Sequence, residues 1–199
     1  MTLSVTPSGR ACGARIEGVD LTSELSSDQV AQLRAIWLEH KVVAFPNQAL
    51  SPHDLERVAQ YFGPIGDDPY FAPIEGHDRI AAVRREADET APLFAEVWHS
   101  DWSFMRTPPA ATCLYGLDIP PVGGDTLFAN EHKAWEEMPE GLRQKFLDKM
   151  AVLEQTRKGS LVAVLRRREQ SWPTRRRRHR WVWIRRGSLT RFFFFWSPV

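Results

Sequence analysis

The sequence predicts a mainly β fold with flanking helices, on three observations. Short runs rich in β-branched and aromatic residues, Val42 to Phe45, Ile80 to Val83, Ala110 to Leu117 and Thr126 to Ala129, are bounded by Gly and Pro clusters. Between them stand segments with apolar side chains at helical spacing behind Ser or Asp caps. The chain of 199 residues is long enough to bury one proper core.

Ser26-Ser27-Asp28 followed by Val30, Leu33, Ile36 and Trp37 predicts a helix from about Asp28 to Glu39, because capping residues lead into one apolar stripe. Val42 to Phe45 reads as a buried strand. Ser51 as N-cap, Pro52 at the first helical position and Leu55, Val58, Ala59 and Phe62 on one face predict a second helix that stops at Gly63-Pro64. From Gly63 to Val97 the pattern loosens into Gly, Pro, Asp and aromatic residues, with one short strand at Ile80 to Val83. Such a stretch is either a substrate loop or an ordinary surface connection. Strands at Ala110 to Leu117 and Thr126 to Ala129 flank Pro120-Pro121-Val122-Gly123-Gly124. Helices over Glu131 to Glu137 and Glu140 to Met150 follow, the second with Leu142, Phe146, Leu147 and Met150 on its apolar side.

Charge divides the chain in two. Residues 1–155 hold 13 Lys+Arg against 24 Asp+Glu, a balance of −11, whereas residues 156–199 hold 13 Lys+Arg against Glu169 alone, a balance of +12. Cys12 and Cys113 stand in unrelated contexts without metal or redox spacing, so nothing points to an oxidising compartment. The first 18 residues lack an apolar core of signal-peptide length, and no run approaches the ~20 apolar residues of a membrane span. The expectation is a cytoplasmic protein with no membrane partner; a homo-oligomer is left open.

Trp98-His99-Ser100-Asp101 is the most informative stretch. On a strand, side chains two residues apart point to the same face, so His99 and Asp101 would offer an imidazole nitrogen and a carboxylate oxygen to one cation. That pair begins the two-His-one-carboxylate set that suits non-haem Fe(II). The bland alternative is a chance pair in a solvated loop or a hydrogen-bonded core histidine.

The setting of this pair resolves the choice. Thr107-Pro108-Pro109-Ala110 and Pro120-Pro121-Val122-Gly123-Gly124-Asp125-Thr126-Leu127-Phe128 follow it. Ahead of it come Val42-Val43-Ala44-Phe45-Pro46-Asn47-Gln48 and Tyr61-Phe62-Gly63-Pro64-Ile65-Gly66. In this order the motifs resemble the TauD/TfdA family of Fe(II)- and 2-oxoglutarate-dependent dioxygenases, over roughly the first three quarters of the chain. The resemblance implies a double-stranded β-helix, or jelly roll, here incomplete at the C-terminus. It implies His99 and Asp101 as iron ligands and Thr126 as a hydroxyl that helps hold the carboxylate of 2-oxoglutarate. Without it, Thr126 reads as a β-branched strand residue. The implied chemistry is O2 activation at iron, decarboxylation of 2-oxoglutarate to succinate and CO2, and hydroxylation of a small organic acid.

The family's third ligand is a distal His followed by a cosubstrate-binding Arg. Only His132 and His179 follow the motif. His132 reads as a solvated helix residue. His179, between Arg178 and Arg180, is surrounded by cations that disfavour ligation. The sequence therefore supplies two ligands, and impaired turnover is the expectation. Where taurine-specific members receive a sulfonate, this chain has Asp68, Phe71 and Ala95, which suit that group poorly. Tyr70, Phe71, Trp102 and Phe104 are candidates for a substrate-facing wall, or for core.

Residues 1–155 thus read as the N-terminal part of an oxygenase domain and residues 156–199 as a disordered Arg- and aromatic-rich tail. Arg166-Arg167-Arg168, Arg175 to Arg178, Trp181-Val182-Trp183 and Phe192 to Phe195 show no helical or strand period. Three readings stand: a nucleic-acid or polyanion arm, giving a non-catalytic binding protein; a membrane-surface segment; and a frame-shifted or truncated end, which the abrupt loss of resemblance near Val152 favours. In that case nucleic acid binds only nonspecifically through the tail.

Overall fold

A computed structural model describes residues 3–66, 71–86, 88–90, 98–102, 108–119, 121–122, 125–147, 149–155, 161–167, 180–182 and 191–196. It divides into two compact units. Unit 1 comprises Met1–Pro92, Ala110–Asn130 and Arg191–Val199, and unit 2 comprises Leu93–Pro109 and Glu131–Thr190.

Unit 1 begins with an antiparallel pair, β1 (Ser4–Pro7) and β2 (Ala14–Glu17). In β2, Ala14 and Ile16 are buried while Arg15 and Glu17 face out and pair at 3.1 Å, the alternation of a half-buried strand. Helix α1 (Ser27–His40) follows and carries the chain to β3 (Val42–Phe45), which lies parallel to β2. A parallel neighbour requires a crossover connection, and α1 supplies it. The helix starts where the sequence predicts. The Ser26 hydroxyl accepts from Gln29 N–H at 3.3 Å, and the Gln29 side chain accepts from Ser26 N–H at 2.8 Å. Two otherwise orphaned backbone donors are satisfied in this way.

Helix α2 (Pro52–Gln60) has the same device at Ser51 and Asp54, with Pro52 in its first turn. Beyond it, β4 (Pro73–Ile74) and β5 (His77–Ala81) form a small antiparallel pair. The turn between them is made by Glu75-Gly76, and Gly76 takes the positive φ of 78° that the turn demands. β6 (Ala111–Gly116) matches the strand that the sequence predicts at Ala110 to Leu117.

Unit 2 contains α3 (Glu131–Glu136), α4 (Glu140–Leu147), β7 (Lys149–Gln155), β8 (Leu161–Arg167) and β9 (Arg180–Val182). β7 pairs antiparallel with β8 along its whole length, and with β9 on its other side. Here the structure corrects the sequence reading: the helix predicted to reach Met150 ends at Leu147, and Lys149 onward is strand. Seven ladder pairs with β8 outweigh the helical spacing of the apolar side chains.

The last strand, β10 (Arg191–Trp196), returns to unit 1 and lies parallel between β3 and β6. The sheet order is therefore β1-β2-β3-β10-β6. Residues 156–199, whose side-chain pattern carries no strand period, contain β8, β9 and β10. β10 carries the continuous apolar run Phe192 to Phe195 and pairs with a neighbouring strand along each edge. The architecture is strands with flanking helices. The described residues form sheets of five, two and three strands and no closed barrel.

The core of unit 1 gathers Ile16, Leu21, Leu33, Trp37, Val43, Phe45, Val58 and Phe62. Trp37 and Phe62 meet edge to face, centroids 5.6 Å apart at 80°, the favoured aromatic geometry. Within this apolar cluster lies one buried polar side chain, Gln48. Its carbonyl accepts from Leu21 N–H at 2.9 Å, and its amide donates to the carbonyls of Val19 at 3.0 Å and Pro46 at 3.2 Å. The Tyr115 hydroxyl on β6 donates to the backbone carbonyl of Gln48 at 3.0 Å and accepts from Leu50 N–H at 3.0 Å.

A second polar hub faces the surface. The Arg57 guanidinium donates to the carbonyls of Leu21, Thr22 and Ser23, to the Tyr61 hydroxyl and to Asp54 Oδ1 at 2.7 Å. Hydrogen bonds from Ser51 and then Arg57 hold the Asp54 carboxyl down at about 2.

Gln48→Leu leaves the Leu21 N–H and two carbonyls without partners, and is expected to lower unfolding free energy by about 1–3 kcal/mol in urea titration. For Asp54, the depressed folded pKa means that its stabilisation is complete above the ordinary value of 3.8 and is lost as pH falls toward about 2. The parent should therefore exceed Asp54→Ala in urea midpoint at pH 6, with part of the gap closing by pH 2.5.

Candidate functional site

His99 and Asp101 come together. His99 Nε2 lies 2.9 Å from Asp101 Oδ1, with the two side chains 30% and 19% exposed. They are neither sealed in the core nor free in solvent. The means differ from the strand that the sequence predicts: residues 98–100 have no regular structure and Asp101-Trp102 form a turn. The period-two argument belongs to strands, and the two groups meet in a stretch that is not one. Trp98, just ahead, is 70% exposed.

Metal–ligand bonds of about 2.1 Å at right angles place two donor atoms about 3 Å apart. The observed 2.9 Å between imidazole nitrogen and carboxylate oxygen matches that separation, and an N/O donor pair suits a divalent transition metal such as Fe(II). The residues present fit a metal as a two-point grip. Among the described residues, no group of three His, Cys, Asp or Glu side chains is placed to hold one.

The remaining predicted residues are distributed as follows. Thr126 is in unit 1, as is Phe71, while His99, Asp101 and Trp102 are in unit 2. The strand predicted at Thr126 to Ala129 is absent: residues 125–130 have no regular structure, and Thr126 is exposed. In place of a ladder, Asn130 donates to the Ala11 carbonyl at 2.7 Å and holds this segment against the β1–β2 hairpin. Tyr70, Phe104, Asp68, Ala95 and His179 lie outside the described residues.

Thr126 lines a shallow cavity of about 240 Å³ together with Arg10, Ala11, Cys12, Gly13, Val42, Leu127 and Phe128. Arg10 and Cys12 are neighbours that the sequence reading did not select, because only the hairpin brings them there. Gly13, at φ 106°, closes that hairpin by accepting from Ser8 N–H and donating to the His40 carbonyl, both at 2.9 Å. Burial pushes the Cys12 thiol up and, more strongly, that of Cys113 on β6, so neither is an activated nucleophile.

His132 is not the solvated residue that the sequence suggests. On α3 its Nε2 is enclosed without a hydrogen-bond partner, and burial raises the Glu131 carboxyl beside it. A larger surface cavity of about 440 Å³ is lined by His53, Glu56, Arg57, Gln60 and Tyr61, with His77 Nδ1 3.4 Å from Glu56 Oε1. Its arginine is already engaged by Asp54 and three carbonyls.

Comparison with known proteins gives a consistent picture. A family model described as taurine catabolism dioxygenase TauD, TfdA family matches residues 4–194. The chain is 38% identical over 133 residues to an alkylsulfatase of Acinetobacter baylyi, covering 66% of this chain and 41% of that protein. It is 31% identical over 145 residues to an alpha-ketoglutarate-dependent sulfate ester dioxygenase of Pseudomonas putida, covering 72% and 47%. Among solved structures it resembles a taurine dioxygenase from Burkholderia xenovorans, with a TM-score of 0.65 and 30% identity over 78% of this chain and 55% of that one. The chain spans about half the length of these relatives.

Proposed function

Since the chain belongs to the TauD/TfdA dioxygenase family, we propose that His99 and Asp101 are two of the protein ligands of an Fe(II) site serving a 2-oxoglutarate-dependent oxygenation of a small organic anion. The single observation that carries this reading is the 2.9 Å approach of His99 Nε2 to Asp101 Oδ1 in a partly open turn. When bound, the iron supplies O2 activation coupled to oxidative decarboxylation of 2-oxoglutarate to succinate and CO2. The chain's own residues have simpler tasks. His99 and Asp101 present their donor atoms side by side. Thr126 offers a hydroxyl to a cosubstrate carboxylate. Trp102, next to Asp101 in the chain, is the described candidate for apolar contact with the substrate.

The double-stranded β-helix belongs to the same proposal, supported by the likeness to the taurine dioxygenase structure. Relatives described as acting on sulfate esters make alkyl sulfates the first substrates to assay. The finer reading is that the 199-residue polypeptide, assayed alone, grips the metal through two side chains and turns over slowly. It rests on the sequence, in which only His132 and His179 follow the His99-Ser100-Asp101 motif.

Anaerobic Fe(II) with 2-oxoglutarate is then expected to give little of the visible charge-transfer absorption of a full site, and His99→Ala to weaken residual metal binding by more than ~10-fold. A full-strength band at normal stoichiometry overturns the two-ligand reading, and metal binding indifferent to both His99→Ala and Asp101→Asn overturns the site.

A second reading rests on the +12 balance of residues 156–199, which suits a polyanion. Changing Arg175, Arg176, Arg177 and Arg178 to Gln leaves the residues of β8, β9 and β10 unaltered. It should abolish salt-sensitive retention on heparin if the basic segment is a binding arm, while His99→Ala leaves retention unchanged.

A further inference from the structure

Two side-chain contacts tie the β4–β5 hairpin to the chain around α2. His77, the first residue of β5, sets Nδ1 3.4 Å from Glu56 Oε1 on α2, both side chains being partly buried at 26% and 22% exposure. The Arg79 guanidinium donates to the Gly66 carbonyl at 3.3 Å. Across the hairpin Pro73 pairs with Ala81. The stretch between Gly66 and Pro73, which includes Phe71, is thereby fastened to β5 at both of its ends.

The two ties differ in kind. A guanidinium keeps its charge at every accessible pH, whereas an imidazole gains or loses its proton near neutrality. A separation of 3.4 Å is longer than a good N–H···O bond, so a neutral His77 gains little from the carboxylate. An imidazolium gains a Coulombic attraction that falls off only gradually with distance. The hairpin's other charges are Glu75, Asp78 and Arg79. β5 packs on β4 and α2; β4 is Pro73-Ile74 and carries no titratable side chain. On α2, Asp54 and Arg57 pair with each other, and His53 lines the same surface cavity as Glu56.

We propose that His77 and Glu56 form a proton-operated clasp that docks the β4–β5 hairpin on α2 when the imidazole is charged and loosens it when the imidazole is neutral. The sign follows from the two groups. Between the ordinary carboxylate range, about 4.3, and that of imidazole, about 6.5, both charges are present; as pH rises through the second the attraction is lost. The sequence marks Phe71 as a candidate for the substrate-facing wall, so the clasp sets how firmly that segment is held. This consequence rests on the functional reading, whereas the clasp itself does not.

Hydrogen–deuterium exchange of the full chain tests it, read on peptides covering residues 73–81 at pH 5.5 and pH 8 and corrected for the intrinsic pH dependence of amide exchange. In the parent, the hairpin should exchange about two- to fivefold faster at pH 8, the size of effect that a partly exposed ion pair gives. His77→Gln and Glu56→Gln should each remove this difference, and the double variant should exchange no faster than either single one. His53→Gln should retain it. A parent without the difference, or a difference that survives His77→Gln, overturns the clasp. If His77→Gln does not fold, Glu56→Gln, which keeps the size and shape of the side chain, decides by the same comparison. No metal, cosubstrate or turnover enters the readout, so failure of the clasp and failure of the iron site are separate outcomes.

Discussion

A buried amide organises unit 1. Gln48 follows β3 within an apolar cluster, where an unsatisfied polar group would cost several times what its hydrogen bonds return. That asymmetry makes its geometry strict. The backbone at Val19, Leu21 and Pro46 has to present its N–H and carbonyl groups where the amide can meet them, and it does at 2.9 to 3.2 Å. Tyr115 then links β6, far along the chain, to the same segment through the backbone carbonyl of Gln48. Apolar burial supplies most of the driving force for this unit, but it is non-directional. The amide and the tyrosine hydroxyl make one arrangement of the strands better than its neighbours.

Arg57 performs the corresponding task outside the core. Five donors in a planar fork suit it to gather three successive carbonyls and a carboxylate. The loop from Leu21 to Ser23 is thereby held against α2. The large cavity beside it is consequently a surface of engaged groups, and its chemistry is structural. The proposed ligand pair, His99 and Asp101, lies instead in a short irregular stretch of unit 2.

Helices α1 and α2 were legible to within a residue at their starts, because a capping box is a local device: Ser26 with Gln29 and Ser51 with Asp54 act within four residues. β3 and β6 were legible from apolar runs between turn residues. The β1–β2 hairpin was not, since four-residue strands in which polar and apolar residues mix carry little pattern. Helix α4 was read too long because Met150 continues its stripe, although β8 claims that segment. At the site, the residue types of His99 and Asp101 were visible in the sequence and the conformation that joins them was not. A period-two argument applies to strands, and residues 98–102 form none.

The sequence by itself determined the local features: the caps, the apolar stripes, the segregation of charge at residue 155, and the presence of an imidazole and a carboxylate two positions apart in motifs that mark the family. Each depends on residues within one turn of helix or a few bonds of chain. Tertiary structure alone decided the parallel order β2-β3-β10-β6, the enclosure of Gln48, the cavity that gathers Arg10 and Cys12 beside Thr126, and the approach of His99 to Asp101 in a stretch without regular structure. These depend on partners distant in the chain or on backbone that follows no helix or strand period, and neither is written in the spacing of neighbouring residues.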